Sequence, residues 1–298
     1  MSTLTVQLDW KPNVQFAGLL LALHRGWFEE AGVGVTVLPW RPATDPLDGV
    51  TDQIGRISVS EDNLVIRAAA AGRPVRIIGS MLQLSPLAWM VLEDSTMTGF
   101  GDFAGRTIGV HVDGVTGLQF AMRSAGLDLG DANVIDVPYD KTEQLRDGRI
   151  DVCQCNGLVE PTEMAHEGLR VRTLWAIDAG YSVYSQVLST SAATLAARGP
   201  EVDTFARVLW RGWRAVYDDV AAAATLVHDE FLHETSPAVQ HEILDVMKPF
   251  VFGDGRASSS SGPAELGSVR PDRLQHSIDL LVANGVIPER LEATALLR

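Results

Sequence analysis

The sequence predicts an α/β fold of two lobes, and three observations predict it. Short apolar segments of strand length alternate with stretches of helical spacing from residue 6 to residue 190, the pattern of sheets covered by helices on both faces. The strand pattern then stops, while four further helical segments follow between residues 205 and 284. The 298 residues, 46% of them hydrophobic, suffice for two cores. A chain that leaves one lobe, builds a second and returns would read this way. The expected division is 1–87 with 190–298 in lobe 1 and 88–189 in lobe 2.

The elements follow in order. Leu4-Thr5-Val6-Gln7-Leu8 alternates, and residues 6–9 read as the first strand. Pro12 and Asn13 open a helix over 15–24, with Phe16, Leu19, Leu20 and Leu23 at helical spacing. Gly26 and Gly32 punctuate the chain around Trp27 and Phe28, two core candidates, and residues 33–39 form a second strand. Strand 57–60 runs into helix 61–71, which Gly72 ends and Pro74 follows. Residues 75–80 are a strand, and 87–92 are continuously apolar, as a buried strand should be. Further strands are expected at 105–112, 134–137, 150–155, 171–176 and 184–190, and helices up to Ser124 and over 141–147 and 158–167. Parallel sheets are expected from this alternation. Helices then fall at 205–218, 221–232, 237–247 and 271–284, with a Gly/Ser-rich mobile surface loop over 253–263.

Composition narrows the partners. A net charge of −14 excludes a nucleic-acid partner, which needs a basic stripe, and disfavours anionic membrane surfaces. No run reaches the roughly 18 apolar residues of a span, so no direct membrane insertion is expected. Cys153 and Cys155 are one residue apart, and a disulfide between them would be strained. They read as buried reduced thiols, with no metal site. Neither a Gly-x-Ser-x-Gly elbow nor a metal-ligand set emerges from the seven histidines, so no catalytic residues and no cofactors are assigned. Met1 leads straight into the first strand without the basic start and apolar run of about 7–15 residues of an export signal. The expected compartment is the cytoplasm, or the periplasm or cell surface if a leader has been removed.

Leu8-Asp9-Trp10-Lys11-Pro12-Asn13, Gln15-Phe16-Ala17-Gly18 and Gly26-Trp27-Phe28-Glu29-Glu30-Ala31-Gly32-Val33 resemble the opening of the family that joins thiamine-pyrimidine synthase with importer substrate-binding proteins. The similarity continues at Ala70-Ala71-Gly72-Arg73-Pro74-Val75, Phe103-Ala104-Gly105-Arg106-Thr107-Ile108-Gly109-Val110 and Gly148-Arg149-Ile150-Asp151. The resemblance implies the type II periplasmic-binding-protein fold, with a ligand cleft between lobes that close by a hinge. It also implies small, flat ligands such as thiamine pyrimidine precursors or riboflavin, or else alkanesulfonates.

The candidate site residues lie at strand-to-helix turns, where open α/β sheets bind ligands. Trp10 offers a flat face for stacking and Asn13 a donor and an acceptor, against the alternative that Trp10 is core and Asn13 a helix cap. Ser58, Ser60 and Glu61 stand where free N–H groups can hold an oxygen, or where Ser60 merely caps the next helix. Gly114, Thr116 and Gly117 allow close backbone approach and add a hydroxyl, or form a plain turn. Asn156 and Glu160 follow strand 150–155, where Glu160 either accepts from an amino group or is a solvated helix-start acid. Trp40, Trp89 and Tyr184 are further aromatic candidates, or core and hinge packing.

The leading expectation is the substrate-binding protein of an ABC-type importer for a small planar heterocycle, with the transporter's membrane subunits as partners. The alternatives are a cytoplasmic enzyme acting on a thiamine pyrimidine precursor, or a ligand sensor, on the same fold. The resemblance bears on this choice. The synthases consume a histidine near the helix matching 62–71 and carry a cysteine cluster near 180–189. This chain has no histidine between His24 and His111 and no cysteine at 180–189. It also lacks a lysine between Gly109 and Gln119, which favours a ligand without phosphate there.

Overall fold

The computed structural model describes residues 3–41, 44–111, 114–137, 141–253 and 265–298. All but Gly253 of the expected mobile loop over 253–263 lies outside the described residues. The chain forms two compact units, Met1–Leu84 with Val183–Arg298, and Ser85–Ser182.

The first unit begins with β1 (Thr3–Gln7), a 3-10 turn (Val14–Phe16), α1 (Ala17–His24), α2 (Trp27–Glu30), β2 (Gly34–Val37), β3 (Arg56–Ser60), α3 (Asp62–Ala70) and β4 (Val75–Leu82). The second unit holds β5 (Leu87–Leu92), β6 (Thr107–Val110), α4 (Val115–Ser124), β7 (Asn133–Asp136), α5 (Lys141–Arg146), β8 (Val152–Asn156), α6 (Glu160–His166) and β9 (Val171–Trp175). The chain then returns through β10 (Ser185–Ser191), α7 (Ala192–Asp218), α8 (Val220–Glu230), α9 (Pro237–Phe252), α10 (Pro271–Ala283) and α11 (Ala293–Leu296) to complete the first unit.

Each unit carries a five-stranded sheet, in the orders β2-β1-β3-β10-β4 and β7-β6-β8-β5-β9. The sheets are mixed, where the alternation predicts parallel ones. β1 runs parallel to β2 and β3, and β6 parallel to β7 and β8. β10 is antiparallel to both its neighbours, and so is β5. These two are the first strands after each passage between units. No strand–helix–strand crossover within one sheet leads into them, so nothing forces them parallel. β10 pairs wholly within the first sheet, so the chain re-enters that unit at Val183, ahead of the strand.

Two helices contain an internal proline. α7 begins at Ala192, with the Ser191 side chain accepting from Thr194 N, and absorbs Gly199-Pro200 through an irregular Arg198 at φ −140°. α9 passes Pro249 and ends at Gly253, whose φ of 75° suits only glycine well. α1 and α7 cross so closely that a Cβ on Gly212 would stand 1.9 Å from the Gly18 carbonyl oxygen.

The first core gathers Ile66, Ile77, Val187, Leu274 and Ile278 between the sheet, α3 and α10, and the second gathers Met90, Ile150, Cys153, Cys155 and Met164. Each of these aliphatic and methionine side chains contributes roughly 1.5–3 kcal/mol by leaving water. Both cysteines are buried and free. Burial pushes the Cys153 thiol up to about 12, and Cys155 is also raised well above its ordinary value by burial. Thiols held protonated in this way are poor nucleophiles.

Candidate functional site

In the first unit β1 and β3 run one way and β10 the other. The carboxyl ends of β1 and β3 therefore share one sheet end with the start of β10. Trp10 lies just beyond β1 and is half-buried. Its ring centroid is 4.9 Å from that of Trp40 at an interplanar angle of 50°, and Trp40 Nε1 donates to the Asp9 carbonyl at 3.0 Å. Trp10 is thus neither core nor fully open. It belongs to an aromatic pair anchored on the loop after β2. Asn13 is buried and caps the 3-10 turn, its Oδ1 accepting from Gln15 N at 2.9 Å. The capping role uses its acceptor oxygen.

Ser58 and Ser60 are fully buried, and neither Oγ has a partner among the described residues. Ser60 does not cap α3. The N-cap is Glu61, and its carboxylate accepts from the Ser185 hydroxyl. The next acid, which sequence reasoning missed, is Asp62. It is fully buried, and its Oδ2 accepts from Ser277 Oγ at 2.7 Å and from Tyr184 N at 3.0 Å. Burial pushes this carboxyl up to about 6 against those hydrogen bonds and the nearby Arg273. The Arg273 guanidinium lies 4.2 Å above the Tyr184 ring and donates to the Gln83 carbonyl at 2.6 Å. Tyr184 is therefore packing at the start of β10, tied to α3 and α10.

Gln186 was also missed. Its Nε2 donates to Gln15 Oε1 at 2.9 Å, bringing β10 to the turn that Asn13 caps. A carboxamide in a strand carries no sequence signal of its own. An acid pair at a strand-to-helix turn, Glu61-Asp62, is a signal that would have found Asp62.

The second unit brings the remaining candidates to two turns. Gly114 precedes α4 with φ −86°, an ordinary value. It is needed for space, because a Cβ would stand 2.1 Å from Gln154 Oε1, which accepts from His111 N at 2.8 Å. Gly117 is buried, and a Cβ there would meet Leu87 Cδ2 at 2.4 Å. Packing accounts for both glycines. Thr116 is half-buried in the first turn of α4. Trp89 is fully buried in β5.

Asn156 and Glu160 meet at the end of β8, where Asn156 N donates to Glu160 Oε2 at 2.9 Å and Asn156 Oδ1 accepts from Leu158 N at 3.1 Å. Glu160 is not a solvated acid but is ion-paired within the unit, with Lys141 Nζ 2.7 Å from its Oε1. Burial alone would lower the Lys141 pKa, but the Glu160 carboxylate outweighs it and holds the ammonium above its ordinary value. This pair ties α5 to the β8–α6 turn.

No group of three or more His, Cys, Asp and Glu among the described residues is arranged to hold a metal ion, and none of the described helices is long and apolar enough to cross a membrane.

The model of the NMT1/THI5-like family matches residues 13–223. The riboflavin-binding protein RibY of Chloroflexus aurantiacus is 23% identical over 222 residues, 71% of this chain and 62% of that protein. The chain therefore spans less than two-thirds of that relative's length. The formylaminopyrimidine-binding protein of Halalkalibacterium halodurans is 27% identical over 256 residues, 83% of this chain and 77% of that protein. Among solved structures, the alkanesulfonate-binding protein SsuA of Xanthomonas axonopodis pv. citri, bound to MOPS, matches with a TM-score of 0.76 at 16% identity, covering 99% of this chain and 98% of that one. At that identity the likeness shows the fold alone, the two-lobed fold of periplasmic binding proteins.

Proposed function

This chain belongs to the NMT1/THI5-like family, and on that premise we propose that it is the substrate-binding protein of an ABC-type importer for a small planar heterocycle, a thiamine pyrimidine precursor or a flavin. The observation that carries this reading is the half-buried Trp10–Trp40 pair beyond β1, at the sheet end that also holds buried polar side chains of β3 and β10. An indole face suits a flat ring, and carboxamides and hydroxyls suit the ring's polar edge. Two relatives whose names state binding of riboflavin and of formylaminopyrimidine support the ligand class. The lysine-free turn before α4 favours a ligand without phosphate. The partners implied are the membrane subunits of a transporter, which would receive the ligand from this protein.

The test is calorimetry with riboflavin and with formylaminopyrimidine, beside mass spectrometry of small molecules released from gently purified protein. Binding of either compound, with quenching of tryptophan fluorescence, is expected. A chain that binds neither and releases no heterocycle refutes the reading.

A further inference from the structure

Gln186 combines two unfavourable features. Among the described residues it is the sole non-glycine with its backbone in the left-handed region, at φ 51°. Such strain persists only where surrounding structure enforces it, and it concentrates at ligand clamps. Gln186 is also 2% exposed, and its Oε1 is buried with no partner among the described residues. A buried acceptor left unpaired is costly, and native structures seldom leave one without a reason.

The surroundings share the second feature. Ser60 Oγ, on the residue that ends β3 opposite Val187, and Asn63 Oδ1, in the first turn of α3, are likewise buried without a partner. One end of the first sheet therefore holds three polar atoms that folding did not pair. Two are carbonyl-type acceptors, and the third is a hydroxyl that can accept. Each of the three can accept a hydrogen bond from an N–H. With Gln186 Nε2 donating to Gln15 Oε1, the carboxamide atom left over is the oxygen.

We infer that Gln186 is a ligand-orienting residue whose Oε1 accepts a hydrogen bond from an N–H on the edge of the bound heterocycle. This rests on the ligand class proposed above and narrows it to rings with a donor edge, such as an imide or an aminopyrimidine. Ligands whose polar end offers only acceptors, sulfonates among them, would face an unpaired oxygen and be rejected. The strain at Gln186 then has a use, since it turns a strand residue toward the turn that Asn13 caps.

The experiment pairs ligand and side-chain changes. Calorimetry compares riboflavin with N3-methylriboflavin, and formylaminopyrimidine with its 4-dimethylamino analogue, with butane-1-sulfonate as the acceptor-only probe. Each is measured on the unmodified chain and on Gln186→Asn, which tolerates the left-handed backbone but withdraws the carboxamide by one methylene. The unmodified chain should prefer the N–H ligand over its methylated analogue by about tenfold or more, as loss of a buried hydrogen bond implies, and should bind butane-1-sulfonate far more weakly. In Gln186→Asn that preference should fall to about twofold or less, with a melting temperature within a few degrees of the unmodified chain. A purely structural Gln186 predicts instead a lower melting temperature and an unchanged preference in the folded protein. That result, or an unmodified chain indifferent to methylation, overturns the inference while leaving the ligand class standing. Failure of the unmodified chain to bind either heterocycle overturns both.

Discussion

Replacing Lys141 with methionine should destabilise the second unit by about 3 kcal/mol, because it leaves a buried carboxylate without its counter-charge. Lys141 Nζ is 2.7 Å from Glu160 Oε1, and the two side chains are only 10% and 17% exposed. Water screens such a pair poorly, so the figure of about 0–1 kcal/mol for exposed ion pairs does not apply. Removing one partner of a buried pair typically costs about 3–5 kcal/mol, and the residual exposure here puts the expectation at the low end. Methionine preserves most of the apolar stem, so cavity formation adds little. The other Glu160 oxygen accepts from Asn156 N, a bond that glutamine can keep. The double variant Lys141→Met with Glu160→Gln should therefore recover to within about 1 kcal/mol of the unmodified chain. Urea unfolding of all four proteins, followed by tryptophan fluorescence and far-ultraviolet circular dichroism, measures the cycle. The reasoning fails if Lys141→Met alone stays within about 1 kcal/mol of the unmodified chain, or if the second substitution brings no recovery.

Three further outcomes are expected. Asp62 is pushed up to about 6 from 3.8, so the folded chain holds this proton more tightly than the unfolded chain. Its contribution favours the folded state below about pH 4 and is lost as pH rises through about 6, a difference of about 3 kcal/mol. Asp62→Asn should therefore be more stable than the unmodified chain at pH 8, with the gap closing toward pH 4, and parallel pH profiles in thermal melts would contradict this. Trp10→Ala should weaken riboflavin binding at least roughly tenfold, while Trp10→Phe keeps much of the affinity. Calorimetry that finds Trp10→Ala unimpaired removes the indole from the site. Gly212→Ala places a Cβ 1.9 Å from the Gly18 carbonyl oxygen and must force α1 and α7 apart. A loss of at least about 1–3 kcal/mol in denaturant unfolding is expected, and a neutral result would mean the crossing is looser than described.

The sequence by itself determined the kinds of element and their order, and with them the α/β class. Strand β3 and helix α3 are legible because side-chain spacing of two and of 3.6 residues is a local property. The turn after β1 is legible for the same reason, which is why Trp10 and Asn13 stand where the pattern put them. The expected helices at 205–218 and 237–247 are shorter than α7 and α9, which also take in Pro200 near the irregular Arg198 and Pro249 in the last turn, and only the packed helix reveals that. Tertiary structure alone decided what pairs with what. The direction of β5 and β10, the partnership of Glu160 with Lys141 and of Asp62 with Ser277, and the left-handed backbone of Gln186 all depend on residues distant in the chain. No local period encodes such contacts, because their energy appears only when separate segments are brought together and water is excluded.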